Sequence, residues 1–340
     1  MNMPKNTRSQ KRPSSVDVAR LAKVSQATVS RVLNHPEKVE ATTRERVYAA
    51  ITQLGYVPNQ NARQLVSGRS NVITLISGPL ENPFFVDSTA AIVEHATERG
   101  YKVNILFAND IDIHEIYKLA LAQRPDGLIM SCILYDDPIF EQLKELNIPF
   151  ISFNRRHQEK LNYVEFDNFL AGRMVCQWLK MKGYQSLFWV GGNLKASTFL
   201  YRFNGFIETY RQLYLADLTS DIIYQAEHLD EEILLSQIMQ WYAQTPGKKA
   251  IAAATDSIAL QLLSLLKNKG IHCPEEIGIM GIDNVELAQH AYIELTTVGT
   301  SHNLGEVAIK LLIDQIEMHD TQNIAITLQP EVFDRGTLRS

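Results

Sequence analysis

Residues 16–34 read VDVARLAKVSQATVSRVLN, and this stretch decides the fold of the amino-terminal part of the chain. Ser14 and Asp17 just before and within it match a capping box, which predicts a helix start. Ser25 is suited to cap a second helix over residues 26–34, and Pro36 predicts its end because proline disfavours helix in the residue before it. A helix, a short turn and a second helix are the plan of a helix-turn-helix unit.

A third helix is predicted behind these two. Thr42 and Glu45 match another capping box, and Gly55 fits the helix stop at about residue 54. The apolar residues between them have the i, i+3, i+4, i+7 spacing of one buried stripe: Val47, Ala50, Ile51 and Leu54. The second helix presents polar side chains of the kind that reach base edges and phosphates, namely Gln26, Thr28, Ser30 and Arg31.

The distribution of charge also points to a polyanion partner. The chain has a net charge of -5, yet residues 1–70 carry 12 basic and 4 acidic side chains, a net charge of about +8. The remaining 270 residues therefore carry about -13. Such asymmetry is typical of a basic domain that binds nucleic acid, although a solvated basic tail would also give these residues a positive net charge.

Composition excludes several classes of protein. Cys132, Cys176 and Cys273 lie far apart, without metal-ligand or disulfide spacing, and the polar residues 1–13 have no apolar signal core. No apolar run reaches the roughly 20 residues that span a membrane. No nucleotide-binding loop, nucleophile elbow or histidine pair indicates catalysis or a metal. We expect a cytoplasmic protein that is not an enzyme, needs no cofactor and has no membrane partner.

From residue 71 onward, apolar strands alternate with amphipathic helices. Strands are predicted at 72–76, 101–107, 127–131, 149–153, 187–190, 250–254 and 277–281, with helical patterns between them. This alternation predicts parallel sheets covered by helices on both faces. The number of units is too large for one compact sheet, so we expect two doubly wound lobes with a cleft at the carboxyl ends of their strands.

Nearly all of residues 14–70 resembles the DNA-binding head of the LacI/GalR family of bacterial transcription regulators. The resemblance rests on the order of residues in 16–34 and continues through Leu54-Gly55-Tyr56, Pro58-Asn59 and Ala62-Arg63. It implies that the second helix enters the major groove, with Gln26 and Ala27 reading bases and Arg31 reaching a guanine edge. Thr28, Ser30 and Asn34 would hold phosphates, and Ser14 and Ser25 complete the expected DNA-binding set. For Val29, packing against the first helix is the better interpretation.

The resemblance continues into a hinge at residues 58–70. Asn59 would cap a short helix, with Ala62 and Arg63 at the DNA, and Leu65 would be a wedge inserted into the minor groove. An ordinary buried leucine is the alternative for Leu65. A helix this short is marginal alone in water, so we expect it to form against its dimer mate on DNA.

The larger part of the chain resembles the family's core, which is similar to periplasmic sugar-binding proteins. The strings that carry this resemblance include Glu81-Asn82-Pro83-Phe84-Phe85, Thr255-Asp256 and Ile277-Gly278-Ile279-Met280-Gly281-Ile282-Asp283-Asn284. It implies effector-binding residues around the cleft: Gly78, Phe84, Phe85, Asp167, Arg202, Thr255, Asp256 and Asp283. Capping of the following helices remains an alternative for Asp167 and Asp256, and a core position for Phe84.

The domain map that follows has a basic tail at 1–13, a helix-turn-helix domain at 14–57, the hinge at 58–70 and an effector-binding and dimerisation domain at 71–340. Within the last, one lobe is expected at 71–167 and 299–328, and the other at 168–298 and 329–340.

The expected function is a homodimeric repressor that binds a palindromic operator in double-stranded DNA under the control of a small molecule. A sugar or sugar phosphate is the first choice of effector, ahead of nucleosides, and the three carboxylates Asp167, Asp256 and Asp283 favour a neutral sugar. No leucine heptad follows residue 335, which argues against a coiled-coil tetramer. The alternatives are an activator or dual regulator, a solute receptor and a sugar-processing enzyme.

Overall fold

The computed structural model describes residues 13–57, 69–108, 113–217, 219–319 and 321–339. The chain divides into two compact units, residues 1–70 and 71–340. The first unit is called the head below, and the second the core. Residues 58–68 lie outside the described part, and with them the predicted hinge residues Asn59, Ala62, Arg63 and Leu65.

The described residues of the head form three α-helices: α1 (Ser15–Ala22), α2 (Gln26–Asn34) and α3 (Ala41–Leu54). The capping box of Ser14 and Asp17 starts α1, and Ser25 caps α2, both as the sequence predicts. The apolar sides of the helices meet in a small core of Val18, Val29, Val32, Val47 and Ala50. The packing interpretation of Val29 is therefore confirmed.

The predicted capping box of α3 is wrong. The helix begins at Ala41, one residue before Thr42, and its N-cap Glu40 makes no side-chain capping hydrogen bond. Glu40 and Ala41 are both exposed, so water can satisfy the first amides of α3. Gly55 ends the helix in the left-handed conformation, as predicted.

Two six-stranded sheets organise the core. One has the order β11-β5-β4-β3-β1-β2, and the other β12-β10-β9-β8-β6-β7. The first sheet consists of β1 (Val72–Ser77), β2 (Lys102–Phe107), β3 (Gly127–Met130), β4 (Phe150–Phe153), β5 (Tyr163–Phe166) and β11 (Ala325–Leu328). The second consists of β6 (Ser186–Gly191), β7 (Ile223–Gln225), β8 (Lys249–Ala253), β9 (Ile277–Asp283), β10 (Thr296–Gly299) and β12 (Glu331–Phe333). We call the two halves the first lobe and the second lobe.

Helices cover both sheets, as the doubly wound prediction requires. The helices of the core are α4 (Pro83–Glu98), α5 (Ile113–Ala122), α6 (Ile139–Leu146), α7 (Asn168–Met181), α8 (Ser197–Tyr214), α9 (Glu231–Gln244), α10 (Asp256–Asn268) and α11 (Leu304–Met318). The chain passes between the lobes after β5, after β10 and after β11. Among the described strands, β12 alone pairs antiparallel, with β10. Only residues 329–330 separate it from β11, so the chain enters the second sheet at the carboxyl end of β10 and runs opposite to it.

The helices α7 and α8 are in close contact. A Cβ atom on Gly172 would lie 2.0 Å from the carbonyl oxygen of Arg202, and one on Gly205 would lie 2.0 Å from that of Phe169. Glycine at both positions therefore lets the two backbones approach, and this contact fixes the position of Arg202 along α8.

Candidate functional sites in the head and the core

The exposed face of α2 carries the predicted base-reading residues. Gln26, Ala27, Ser30 and Arg31 are exposed, while Val29 and Val32 turn into the core of the head. Among the described residues, Arg31 forms no ion pair, unlike Arg20, whose Nη1 lies 3.2 Å from Asp17 Oδ1. The Arg31 guanidinium thus keeps its donors for an external partner.

Three other predicted DNA contacts have roles inside the head. Ser14 Oγ donates to Asp17 Oδ2 at 2.6 Å, and Ser25 Oγ accepts from the Thr28 amide at 3.1 Å. The Ser25 and Thr28 hydroxyls are also 2.8 Å apart. These groups hold the ends of the helices, and the side chain of Asn34 lies outside the described part.

A cavity of about 360 Å³ lies between the lobes of the core. Phe84 at the start of α4 and Phe166 at the end of β5 line it from the first lobe. Asp283 and Asn284 line it from the end of β9, and the segment after β10 adds Thr300. Its position at the carboxyl ends of parallel strands is where ligands bind in open α/β sheets.

Arg202 is the most constrained of the predicted effector residues. Its side chain is fully buried, and three hydrogen bonds hold the guanidinium. Nε donates to Asn168 Oδ1 at 2.8 Å, Nη1 to the Ala254 carbonyl at 2.6 Å, and Nη2 to Asp283 Oδ1 at 2.6 Å. The guanidinium also lies 5.2 Å from the centre of the Phe166 ring. Arg202 therefore shapes two walls of the cavity, Asp283 and Phe166, without lining it.

The predicted carboxylates differ in what they bind. Asp167 accepts from the Leu170 amide at 2.9 Å and caps α7, in agreement with the capping alternative. The capping alternative is wrong for Asp256, because Thr255 caps α10 instead. Asp256 Oδ1 accepts from Thr297 Oγ1 at 2.5 Å, and its Oδ2 accepts from the Val285 amide at 3.0 Å. Burial and the nearby Asp283 charge raise the pKa of Asp256 to about 7.

Gly78 and Phe85 form a packing unit. A Cβ atom on Gly78 would lie 2.2 Å from the Phe85 ring, so the glycine makes room for the aromatic side chain. Phe85 meets the Phe84 ring edge-on at 5.5 Å, which orients Phe84 toward the cavity. Of the eight predicted effector residues, only Phe84 and Asp283 line the cavity described here.

Sequence reasoning missed a polar network that joins the lobes. Arg156 Nε lies 2.7 Å from Glu165 Oε1, and Glu165 Oε2 accepts from Asn168 Nδ2 at 3.1 Å. Asn168 in turn accepts from Arg202 Nε, which extends the network to Asp283. Burial raises the pKa of Glu165 to about 7, opposed by the Arg156 charge. Phe153 ends β4, so residues 154–156 could have been found by the rule that sites follow strand ends.

Direct hydrogen bonds also connect the lobes on this side of the cleft. The Tyr135 amide donates to the Lys195 carbonyl at 2.8 Å, and the Arg156 amide donates to Ser197 Oγ at 2.9 Å. Thr198 Oγ1 donates to the Asn154 carbonyl at 3.0 Å. The start of α8 is therefore bound to the first lobe, so a change in the separation of the lobes must break these contacts.

Models of known protein families match both the head and the core. Residues 16–59 match the model of bacterial regulatory proteins of the lacI family, and residues 70–333 match that of periplasmic binding proteins and the sugar-binding domain of the LacI family. The chain belongs to the LacI family of bacterial regulatory proteins. The resemblance found in the sequence is thereby confirmed.

Individual relatives match over nearly their whole length. The HTH-type transcriptional regulator CelR of Thermobifida fusca is 29% identical over 338 residues, covering 96% of this chain and 98% of the relative. The HTH-type transcriptional repressor PurR of Escherichia fergusonii is 29% identical, covering 95% and 96%. The structure of a lac repressor dimer bound to operator and an anti-inducer is 26% identical with a TM-score of 0.81, covering 97% and 100%.

The chain is therefore a DNA-binding transcription regulator with a small-molecule-binding core. Its relatives are regulators, in agreement with the prediction that it is not an enzyme. Within the described residues, no helix is long and apolar enough to cross a membrane.

Proposed function

We propose that this protein is a cytoplasmic homodimeric repressor whose operator affinity is set by a sugar-class molecule bound between the lobes. The observation that carries the proposal is the exposed α2 face with Arg31 in the same chain as a cavity at the strand ends of two lobes. The operator-bound lac repressor dimer and the PurR repressor support the mode of action, and the CelR–cellobiose complex supports the ligand class. Free Cys132, Cys176 and Cys273 suit a reducing compartment.

The head supplies the operator contacts. Arg31 would read a guanine through its two Nη donors, and Gln26 and Ala27 would meet neighbouring bases. Ser30 and the backbone N–H groups at the start of α2 would bind phosphates. In a dimer, two such helices reach successive major grooves about 34–36 Å apart, so the operator would be an inverted repeat.

The core supplies the control. Phe84 and Phe166 offer aromatic faces to a sugar ring, while Asp283, held by Arg202, accepts hydrogen bonds from hydroxyl groups. A ligand bound here would touch both lobes and so change the balance between their open and closed arrangements. That balance would reach the hinge at residues 58–70, where Leu65 would act on DNA.

A ligand screen coupled to DNA release tests this function. Thermal unfolding of the full chain would be measured against sugars, sugar acids, sugar phosphates and nucleosides, since a ligand of the native state raises the melting temperature. Each hit would then be added to the protein–operator complex. We expect a sugar-class hit to change operator affinity. A hit confined to nucleosides, or a sugar hit without effect on DNA binding, would contradict the proposal.

A further inference from the structure

The carboxylates that favoured a neutral sugar are already engaged inside the protein. Asp167 caps α7, and Asp256 binds Thr297 and the Val285 amide. Asp283 is paired with Arg202. Of the three carboxylates, only Asp283 lines the cavity and can still accept hydrogen bonds from a ligand, so the unsatisfied polar groups at the strand ends become the better guide to its chemistry.

Arg155 has no carboxylate partner among the residues that the structure describes. It follows β4 at the carboxyl edge of the first sheet, and its Nη1 donates to the Cys132 carbonyl at 3.2 Å. Its buried Nε has no hydrogen-bond partner among the described residues, and no ion pair to Arg155 is found there. Burial lowers the pKa of Arg155; the neighbouring Cys132 and Tyr117 oppose this shift, and the charge of Arg202 adds to it.

Two more unsatisfied polar groups lie at the same edge of the sheet. Ser77 ends β1 and is 1% exposed, and Asn154 follows β4 and is 7% exposed. Neither Ser77 Oγ nor Asn154 Oδ1 has a hydrogen-bond partner among the described residues. β1 and β4 flank β3 in the sheet and run parallel to it, so Ser77, Asn154 and Arg155 all lie at the carboxyl edge of the first sheet.

An unpaired buried charge is costly unless a ligand or a counter-charge completes it. The other two arginines of the cleft are compensated, Arg156 by Glu165 and Arg202 by Asp283. A guanidinium binds carboxylate or phosphate oxygens through its planar array of donors, and a serine hydroxyl or a rotated amide adds further donors.

We propose that the effector carries an anionic group, a carboxylate or a phosphate, bound by Arg155 together with Ser77 and Asn154. The effector class is then a sugar acid or a sugar phosphate, whose ring and hydroxyl groups occupy the cavity beside Phe166 and Asp283. This inference rests on the proposed function of the cleft and specifies its ligand.

Inorganic phosphate is the first probe, because it requires no knowledge of the rest of the ligand. The melting temperature of the full chain would be measured in phosphate and in chloride at equal ionic strength. We expect phosphate to raise it by at least 2 °C in the wild type, in roughly the range of a ligand well above its Kd. The increase should disappear in Arg155→Met and persist in Arg211→Met, which removes an exposed guanidinium paired with Asp217.

Two further comparisons make this test specific. Without phosphate, Arg155→Met should melt higher than the wild type, because it removes a half-buried charge that has no carboxylate partner among the described residues. Arg155→Lys keeps the charge and should retain part of the phosphate effect, even if the methionine variant folds poorly. No phosphate effect in the wild type, or the same effect in both Arg155 variants and the wild type, would overturn the inference.

Glucose, gluconate and glucose 6-phosphate distinguish the ligand classes. We expect gluconate or glucose 6-phosphate to bind at least tenfold more tightly than glucose. Which of the two binds more tightly identifies the anionic group as a carboxylate or a phosphate. If neutral sugars bind as well to Arg155→Met as to the wild type and release DNA, the inference fails while the proposed function stands. If an anion binds through Arg155 without changing operator affinity, the inference stands and the proposed control of DNA binding fails.

Discussion

At the scale of single residues, the two units use arginine in opposite ways. Arg31 is exposed and forms no ion pair among the described residues, whereas Arg202 is fully buried and makes three hydrogen bonds. The first arrangement leaves a guanidinium ready for a base edge. The second uses a guanidinium to orient Asp283, so loss of Arg202 would disturb the cavity even if the residue touches no ligand.

Arg31→Ala should lose specificity more than general DNA binding. The bidentate contact of an arginine with guanine is worth about 1–3 kcal/mol of discrimination. Fluorescence anisotropy with operator and random duplexes at one salt concentration measures the difference. Arg46→Ala, an exposed arginine of α3 whose Nη2 bonds Thr43, is the matched control and should leave discrimination unchanged. Equal losses on both duplexes would assign Arg31 to phosphate binding.

Asp256→Asn should remove a pH dependence from the stability of the core. Burial raises the pKa of Asp256 to about 7, so the folded state takes up a proton that the unfolded chain releases near pH 4. Stability from this group therefore falls as pH rises from about 4 to 7 and stays low above it. The wild type should gain melting temperature between pH 8 and pH 6, relative to the asparagine variant. An identical pH profile in the two proteins would show that Asp256 ionises normally.

At the scale of elements, the strength of the local signal decided what the sequence could predict. The limits of α2 were predicted because Ser25 and Pro36 act on adjacent backbone. The capping box predicted at Thr42 does not form at the start of α3. A capping side chain contributes only about 1 kcal/mol to helix stability, and an exposed helix start can be stable without it. Short strands such as β7 and β12 gave no apolar run, since each has three residues and lies at a sheet edge.

The candidate site was only partly predictable for a related reason. Phe84 and Asp283 were predicted because they occupy positions that the resemblance to the family marks as effector-binding. The importance of Arg155 depends on the absence of a carboxylate partner among the described residues of the folded chain, and no sequence pattern reports that. Likewise, Thr255 and not Asp256 caps α10, because the helix begins one residue earlier than capping by Asp256 would require.

Gly205→Ala tests the contact between α7 and α8. Alanine normally favours a helix over glycine by about 1 kcal/mol, but here its Cβ would lie 2.0 Å from the Phe169 carbonyl oxygen. We expect a loss of about 1–3 kcal/mol in the free energy of unfolding, measured by urea denaturation, together with weaker ligand binding as Arg202 shifts. Asn204→Ala, on the exposed side of the same helix, is the control and should be nearly neutral. A more stable Gly205→Ala variant would contradict the close contact.

At the scale of the whole molecule, a coupling free energy would connect DNA binding by the head to ligand binding by the core. Such coupling is reciprocal: a ligand that weakens operator binding must itself bind more weakly to the operator complex, by the same factor. The network from Arg156 through Glu165 and Asn168 to Arg202 connects the two lobes at the point where β5 leads into α7. A ligand that moves either lobe therefore acts on the segment that links them.

Selection of bound duplexes from a random DNA library tests directly whether α2 reads DNA sequence, because it needs no effector. Affinity for the selected duplex should exceed that for random DNA by roughly 10³-fold or more, and should fall steeply as salt rises. We expect enrichment of one inverted repeat whose half-sites lie about one helical turn apart, and loss of preference at one base pair of each half-site in Arg31→Ala. Enrichment of no motif, with equal affinity for all duplexes, would contradict the assignment of α2 as a sequence-reading helix.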